Sequence, residues 1–281
     1  MHDTHAHLDL YLERLGLLAP EASVLTVEAR DRLRQDLAGH DWVVQPTVSL
    51  ENYLRLRVLF QDLQIPPVYY LLGAHPELVT ADFDIASYLE KLETEFTSDA
   101  YLIGIGEIGL DYYYTQDSEI IAKQKELFRE HIKLALEHDL PVIIHCRDAF
   151  PDVFAILDEF PQLRGRFLIH CFTGGPAELG QVLKRGGLVA YGGVTTFKNA
   201  RELQATVPVT PAESFVLETD LPYLSPHPHR GETCAPAYVD DTATHLAALR
   251  DVEKSRVWAD SQVNAVRFFG RKMTREASVS G

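Results

Sequence analysis

Four histidines stand at positions whose spacing suits the coordination of a metal ion. His5 and His7 are separated by one residue at the end of the first predicted strand. Because side chains alternate along a strand, both imidazoles point to the same face. His145 directly follows the apolar run 141–144, and His170 directly follows the apolar run 167–169. Neutral imidazole is the commonest metal ligand in proteins, so these positions are candidates for a metal site.

Two carboxylates occupy comparable places. Glu107 lies in the segment 104–111, where its neighbours are glycine, isoleucine and leucine, and Asp220 ends the mostly apolar segment 215–219. A carboxylate in such surroundings needs a metal ion or a basic side chain as a partner, because an isolated buried charge is strongly disfavoured.

Any one of these six residues could be a satisfied core histidine or one half of a buried ion pair. All six, however, fall at the carboxyl ends of five predicted strands, the rim where barrel enzymes build their active sites. Six mixed ligands are too many for one tetrahedral ion and suit two ions that share a bridging carboxylate. We therefore predict two divalent ions per chain (Zn, Mn or Mg), with the following ligands: His5, His7, Glu107, His145, His170 and Asp220. Glu107 and Asp220 are also the predicted catalytic residues.

The elements that position these residues alternate along the chain. Strands are predicted near residues 2–6, 42–48, 68–73, 101–106, 141–146, 166–171, 187–192 and 214–219. The clearest helix covers residues 124–138, where apolar side chains recur at helical spacing, and it ends before Pro141. Eight strands alternating with helices predict an α/β fold, a single (β/α)8 TIM barrel of the metallo-dependent hydrolase type. A doubly wound open sheet would alternate similarly but gives no reason for eight strands. We expect residues 1–270 to form this domain and 271–281 a disordered tail.

Composition narrows the classes of function. The chain has 281 residues, 46% of them hydrophobic, and no apolar run as long as a bilayer requires. Its three cysteines are widely spaced and form no CxxC pair, which favours free thiols and a cytoplasmic protein. A net charge of −15 repels polyanions, unless bound metals and local basic side chains reverse the field at the site. Neither a membrane nor an obligate protein partner is indicated.

Six segments carry a resemblance to a known family. They are Asp3-Thr4-His5-Ala6-His7-Leu8-Asp9, Gly106-Glu107-Ile108-Gly109-Leu110-Asp111-Tyr112-Tyr113, Pro141-Val142-Ile143-Ile144-His145-Cys146-Arg147-Asp148-Ala149, His170-Cys171-Phe172-Thr173-Gly174, Thr195-Thr196-Phe197-Lys198-Asn199, and Glu218-Thr219-Asp220-Leu221-Pro222-Tyr223-Leu224-Ser225-Pro226. In this order and spacing the sequence resembles the TatD-type metal-dependent deoxyribonucleases, from residue 3 to about residue 269. Three positions depart from the family pattern: Ala6 replaces a usual cysteine, Glu77 a common histidine, and Cys234-Ala235-Pro236 a usual Asn-Glu-Pro.

The resemblance implies a ligand set and a reaction. One ion would be held by His5, His7, Glu107 and Asp220, and the other by Glu107, His145 and His170. The reaction would be hydrolysis of phosphodiester bonds by a metal-activated water, typically as a 3′–5′ exonuclease that removes nucleotides from the ends of single-stranded DNA. The residues expected to contact substrate are His75, Arg147, Lys198, Glu218 and Arg230. The aromatic residues proposed to stack on bases are Tyr112, Tyr113, Phe172 and Tyr223.

Two other functions stay open. An amidohydrolase-type enzyme acting on a small amide, lactone or phosphoester would use the same site, and the acidic net charge favours it. Many such enzymes bridge their metals with a carboxylated lysine on the fourth strand, where this chain has Glu107. A catalytically silent barrel that only binds a ligand is the other alternative, and six intact ligand positions argue against it.

Overall fold

Eight parallel strands follow one another around a ring, and each pairs with the next strand in sequence. A computed structural model describes residues 1–61, 63, 66–96 and 99–270. The strands are β1 (His2–Asp3), β2 (Trp42–Gln45), β3 (Val68–Leu72), β4 (Leu102–Asp111), β5 (Val142–Arg147), β6 (Phe167–Ile169), β7 (Leu188–Tyr191) and β8 (Phe215–Leu217). The predicted barrel is confirmed, and each of the eight predicted strands overlaps an observed one.

The ring closes between its first and last strands. The backbone N–H of Thr4 donates to the carbonyl of Leu217 at 3.2 Å, and the Thr4 hydroxyl donates to the same oxygen at 3.0 Å. Beyond β8, the N–H of Asp220 donates to the carbonyl of His5 at 2.9 Å. These bonds place the histidine pair that follows β1 beside the carboxylate that follows β8.

Helices connect the strands on the outside of the ring. They are α1 (Leu8–Arg14), α2 (Val27–Asp36), α3 (Leu50–Leu59), α4 (Ile85–Glu93), α5 (Ser118–Glu137), α6 (Phe150–Glu159), α7 (Pro176–Lys184), α8 (Arg201–Thr206), α9 (Val239–Arg250) and α10 (Lys254–Phe269). The predicted helix 124–138 corresponds to α5, which begins earlier because the Asp117 carboxylate caps the backbone N–H groups of Glu119 and Ile120. Across the described residues, no helix is both long and apolar enough to span a membrane.

Two apolar layers hold the barrel together. Inward side chains from the strands fill the ring, among them Val44, Leu71, Ile143 and Val216, and the end of α10 contributes Phe268 to the same cluster. A larger cluster lies between the strands and the surrounding helices. The filled interior leaves the carboxyl ends of the strands as the place for a site. The expected tail, 271–281, lies outside the described residues.

Strand β4 differs from its prediction because it continues to Asp111 instead of ending near residue 106. Its pairing with β5 shifts register between Ile105 and Ile108, and the N–H of Glu107 turns to donate to the carbonyl of Thr47 at 3.2 Å. A bulge of this kind re-aims a side chain. Here the re-aimed residue is Glu107, in the glycine-rich stretch singled out from the sequence.

Gly109 allows the bulged strand to lie close to β5. Its φ is +139°, and a Cβ at this position would lie 2.0 Å from the carbonyl oxygen of His145. Only glycine fits both the conformation and the contact.

We therefore expect Gly109→Ala to lower the free energy of unfolding by about 3 kcal/mol, because the backbone must move away from His145. Urea denaturation measures the change. The matched control is Gly180→Ala in α7, where an added Cβ meets nothing within 4 Å and should stabilise the helix by up to about 1 kcal/mol. Equal stability of the two variants would contradict the close approach.

Candidate metal centre

The Glu107 carboxylate is the centre of the predicted site. Its side chain is only 4% exposed. Oε1 lies 2.8 Å from Nδ1 of His145, 2.7 Å from Nε2 of His170 and 3.4 Å from Nε2 of His75. One carboxylate oxygen therefore faces an imidazole within β5 and imidazoles that follow β3 and β6.

The other oxygen faces a second set of imidazoles. Oε2 of Glu107 lies 3.3 Å from Nε2 of His5 and 3.8 Å from Nε2 of His7. Oδ1 of Asp220 lies 3.8 Å and 3.7 Å from the same two nitrogens. The structure thus brings all six predicted ligand residues into one cluster, with Glu107 between its halves.

The electrostatics of four residues in the cluster favour the protonation states that bind cations. His145 differs, because its hydrogen bonds to Asp111 and Glu107 outweigh burial and raise its pKa to about 9. Burial lowers the pKa of His5, His7 and His170, which keeps these imidazoles neutral. Burial alone would raise the pKa of Glu107, but the surrounding histidines hold it well below its ordinary value. Metal ions bind neutral imidazole and ionised carboxylate, so these four residues present the binding forms.

Several buried polar atoms have no hydrogen-bond partner among the described residues. They include both ring nitrogens of His5, Nδ1 of His170 and Oε2 of Glu218. Burial and the neighbouring carboxylates also raise the pKa of Asp220 and of Glu218 well above their ordinary values. Unpaired nitrogens and crowded carboxylates are both resolved by divalent cations, so the donor set fits a metal centre.

Three groups of residues, two of which share His5, are close enough to hold an ion. They are His5, His170 and Glu218; His5, His7 and Asp220; and His75, Glu107 and His145. In each group the ligand atoms lie within 4.8 Å of one another. His75 and Glu218, which the sequence suggested as substrate contacts, thus lie in or beside the cluster itself.

Glu218 lies where a substrate from solvent does not reach it directly. It is fully buried, and its Oε1 accepts a hydrogen bond of 2.5 Å from the N–H of Cys171. The same oxygen is 3.9 Å from Nδ1 of His170. This placement favours support of His170 over contact with substrate.

The three basic residues expected at the substrate lie around the rim. Arg147 ends β5 and is partly exposed, whereas Lys198 and Arg230 are exposed. The guanidinium carbon of Arg230 lies 3.6 Å from the ring centre of Phe197, beside Lys198 in sequence. Basic side chains therefore stand on two sides of the mouth, after β5 and after β7 and β8.

Two supporting carboxylates were not recognised from the sequence. Asp111 is fully buried, and its Oδ2 lies 2.8 Å from Nε2 of His145, opposite the nitrogen that faces Glu107. Asp3 is also fully buried and accepts hydrogen bonds from the N–H of His5 and from Thr219. Both lie in the sequence motifs quoted above. They could have been recognised because each is a carboxylate close in sequence to a predicted ligand.

The backbone at the rim carries strain. Asp220 has a φ of 59° and Cys171 a φ of 42°, so two non-glycine residues shortly after β8 and β6 adopt left-handed conformations. Such conformations concentrate at functional sites, where the surrounding structure enforces them. Cys171 directly follows the predicted ligand His170, and Asp220 is itself a predicted ligand.

Comparison with known proteins decides the family. The chain matches the family described as TatD related DNase over residues 2–270. The protein is a member of the TatD family. The expected family is therefore confirmed, and with it a metal-dependent hydrolase, although the family does not fix the substrate.

Relatives within the TatD family differ in how closely their function is named. The "uncharacterized metal-dependent hydrolase YcfH" of Escherichia coli K12 is 32% identical over 277 residues, 99% of this chain and 98% of that protein. The "3′-5′ ssDNA/RNA exonuclease TatD" of Cronobacter sakazakii is 34% identical over 209 residues, 70% of this chain and 75% of that protein. The crystal structure of the TatD homologue YjjV from Escherichia coli has a TM-score of 0.81 and 25% identity, covering 96% of this chain and 97% of that one.

The contact between Asp111 and His145 gives a test of the site. We expect Asp111→Asn to lower the affinity for a divalent cation by about 10- to 100-fold, because an imidazole ligand loses the carboxylate that fixes its orientation. Calorimetric titration of the metal-free protein with Zn²⁺ or Mn²⁺ measures the affinity. The control is Asp148→Asn, an exposed aspartate on the same rim. An unchanged affinity in Asp111→Asn would contradict the supporting role.

Proposed function

We propose that the protein is a deoxyribonuclease that removes nucleotides stepwise from the 3′ ends of single-stranded DNA. The observation that carries this proposal is Glu107, whose two oxygens face two separate sets of imidazoles. A carboxylate in this position can bridge two cations, and paired cations suit the in-line displacement of a phosphodiester. The relative named as a 3′-5′ ssDNA/RNA exonuclease supports the choice of substrate.

The proposed ligand sets follow the two sides of Glu107. His5, His7 and Asp220 would hold one ion together with Glu107, and His145 and His170 would hold the second with the same carboxylate. His75 lies 3.4 Å from Glu107 and is the candidate for an additional contact on the second side. Zn²⁺, Mn²⁺ and Mg²⁺ are the candidate ions, and the imidazole-rich set favours the first two over Mg²⁺.

The chain's own groups would position the substrate and move the proton. Two divalent cations, when bound, supply Lewis-acid polarisation of the phosphoryl group and a more acidic water. The Asp220 side chain is 13% exposed at the mouth, whereas Glu107 is 4% exposed. Asp220 is therefore the carboxylate proposed to accept the proton from the attacking water, while Glu107 holds the centre together.

Basic residues of the rim would bind the phosphates that flank the scissile bond. Arg147, Lys198 and Arg230 can donate charge-assisted hydrogen bonds to phosphate oxygens. With a net charge of −15, the chain has no broad positive field to hold a long strand. Binding would therefore depend on a few contacts close to the reacting phosphate, as suits an enzyme that works at strand ends.

The same net charge favours a second candidate, an amidohydrolase-type reaction on a small amide, lactone or phosphoester. Such a substrate would need the same cations and no contact with flanking phosphates. A third possibility is a silent barrel that only binds a ligand. It gives no reason for burying so many imidazoles and carboxylates around Glu107, since burial of such groups is costly.

Replacement of the bridging carboxylate tests the two-ion centre. We expect Glu107→Gln to reduce turnover by more than 100-fold, beyond the 10- to 100-fold loss typical of a supporting group, because both ions lose a charged ligand. Elemental analysis should show fewer than two divalent ions per chain in this variant and close to two in the wild type. The control is Glu126→Gln on α5, an exposed glutamate of the helical layer. Near-normal turnover and metal content in Glu107→Gln would rule out the bridge.

Substrate trials test the reaction class. Single-stranded DNA with a label near its 5′ end should yield a ladder that shortens from the 3′ end when Mn²⁺ or Zn²⁺ is added, and EDTA should abolish it. The same preparation is offered single-stranded RNA, an amide and a lactone. Metal-loaded protein that leaves DNA intact but hydrolyses the amide or lactone would replace the nuclease function by the amidohydrolase one. Loaded protein that cleaves none of these substrates would favour the silent barrel.

A further inference from the structure

Two adjacent tyrosines form an exposed aromatic surface at the mouth of the barrel. Tyr113 and Tyr114 lie two and three residues after the end of β4 and are 59% and 61% exposed. Their ring centres lie 5.0 Å apart with the ring planes perpendicular. A single exposed tyrosine needs no explanation, but two in contact beside a candidate active site present an apolar area that solvent disfavours.

Arg147 lies flat against this pair. Its guanidinium carbon is 3.7 Å from the ring centre of Tyr113 and 5.1 Å from that of Tyr114. Within the part of the chain that the structure describes, no carboxylate forms an ion pair with this guanidinium. Its N–H groups therefore remain available to an anion, while its plane extends the aromatic surface.

The surface is tied to the candidate metal centre through Asp111. Oδ1 of Asp111 accepts hydrogen bonds from the N–H groups of Tyr113 and Tyr114 at 2.9 Å and 3.3 Å, and Oδ2 contacts His145. Arg147 follows His145 by two residues on β5, so both side chains point to the same face, about 6.6 Å apart along the strand. One buried carboxylate thus fixes the position of the tyrosines relative to the ligand His145.

The other aromatic residues suggested from the sequence are less suitable. Phe172 is fully buried between Phe150 and Tyr191, so it cannot reach a base. The Tyr112 hydroxyl donates to Asp152 at 2.8 Å, which ties that residue to α6. Tyr223 is 46% exposed but stands singly, with its ring 6.5 Å from that of His7.

We propose that Tyr113, Tyr114 and Arg147 form a stacking platform for the nucleobases next to the scissile phosphodiester. This inference rests on the proposed nuclease function and names the part of the strand that the enzyme recognises. Ring faces bind any base by stacking, and the planar guanidinium adds a second stacking surface and a phosphate contact. Stacking requires no net positive field, so it provides affinity for a strand in a protein of charge −15. A cationic ligand is disfavoured because Arg147 already lies against the rings.

The test compares two substrates in three proteins. One substrate is an eight-nucleotide oligothymidylate, and the other is the same strand with the bases of its three 3′-terminal nucleotides replaced by abasic tetrahydrofuran sites. In the wild type, loss of the bases should raise KM by about fivefold or more. In the double variant Tyr113→Ala/Tyr114→Ala, the intact strand should show the raised KM, and base removal should have little further effect. The double variant Tyr113→Phe/Tyr114→Phe keeps both rings and should behave like the wild type.

The outcomes separate the platform from the reaction. If base removal raised KM equally in the wild type and in the alanine variant, the platform would be overturned and the nuclease function would stand. A phenylalanine variant that fails like the alanine variant would also overturn it, because the hydroxyls and not the rings would then matter. Wild-type protein that cleaves neither strand under conditions of full metal loading would overturn the nuclease function, and the platform with it. Circular dichroism and Tm check the fold, and the single variants Tyr113→Ala and Tyr114→Ala repeat the comparison if the double variant is unstable.

Discussion

The buried carboxylate of Glu107 is the interaction on which the rest of the site depends. An ionised carboxylate inside a protein is tolerated only with nearby partners, and here five imidazoles lie within 4 Å of its oxygens. Those imidazoles come from four different parts of the ring, after β1, after β3, in β5 and after β6, so one side chain connects several strands at the barrel mouth. The bulge in β4 turns Glu107 toward them, and Gly109 lets the bulged strand lie against β5.

Around that centre, two further buried carboxylates contact predicted ligands. Asp111 holds His145 and the turn that carries Tyr113 and Tyr114, and Asp3 holds the backbone of His5 together with Thr219. Asp111 thus links β5 to the turn after β4. Asp3 links the segment after β1 to the segment after β8. The same two buried carboxylates therefore hold both the predicted ligands and the backbone around them. Such contacts keep a site in position even where the strands are short.

Sequence periodicity predicted the barrel and the gathering of the ligands because both follow from where apolar strands end. The six residues from His5 to Asp220 were found in this way, and the structure places them in one cluster. Other features depend on the pairing of neighbouring strands, which the periodicity of the sequence does not reveal. The extension of β4 to Asp111 needs the bulge, and the contact between Asp111 and His145 needs the register of β4 with β5. Phe172 was suggested as an exposed aromatic because its motif lies at the rim, but its side chain turns into the outer core. Tyr114 was overlooked because only the structure shows that it contacts Tyr113.

The closure of the ring between β1 and β8 also sets the order in which the protein can become functional. His5 and His7 leave the ribosome more than 200 residues before their neighbour Asp220 and the carbonyl of Leu217 that anchors Thr4. At ~5–20 residues per second, the histidine pair waits about 10 to 40 s for these partners. During synthesis the pair is thus a free chelating segment without its enclosing carboxylates. Nascent chains that stop before β8 would carry the imidazoles without Asp220 and Glu218, so the cluster is complete only when nearly the whole barrel has been made.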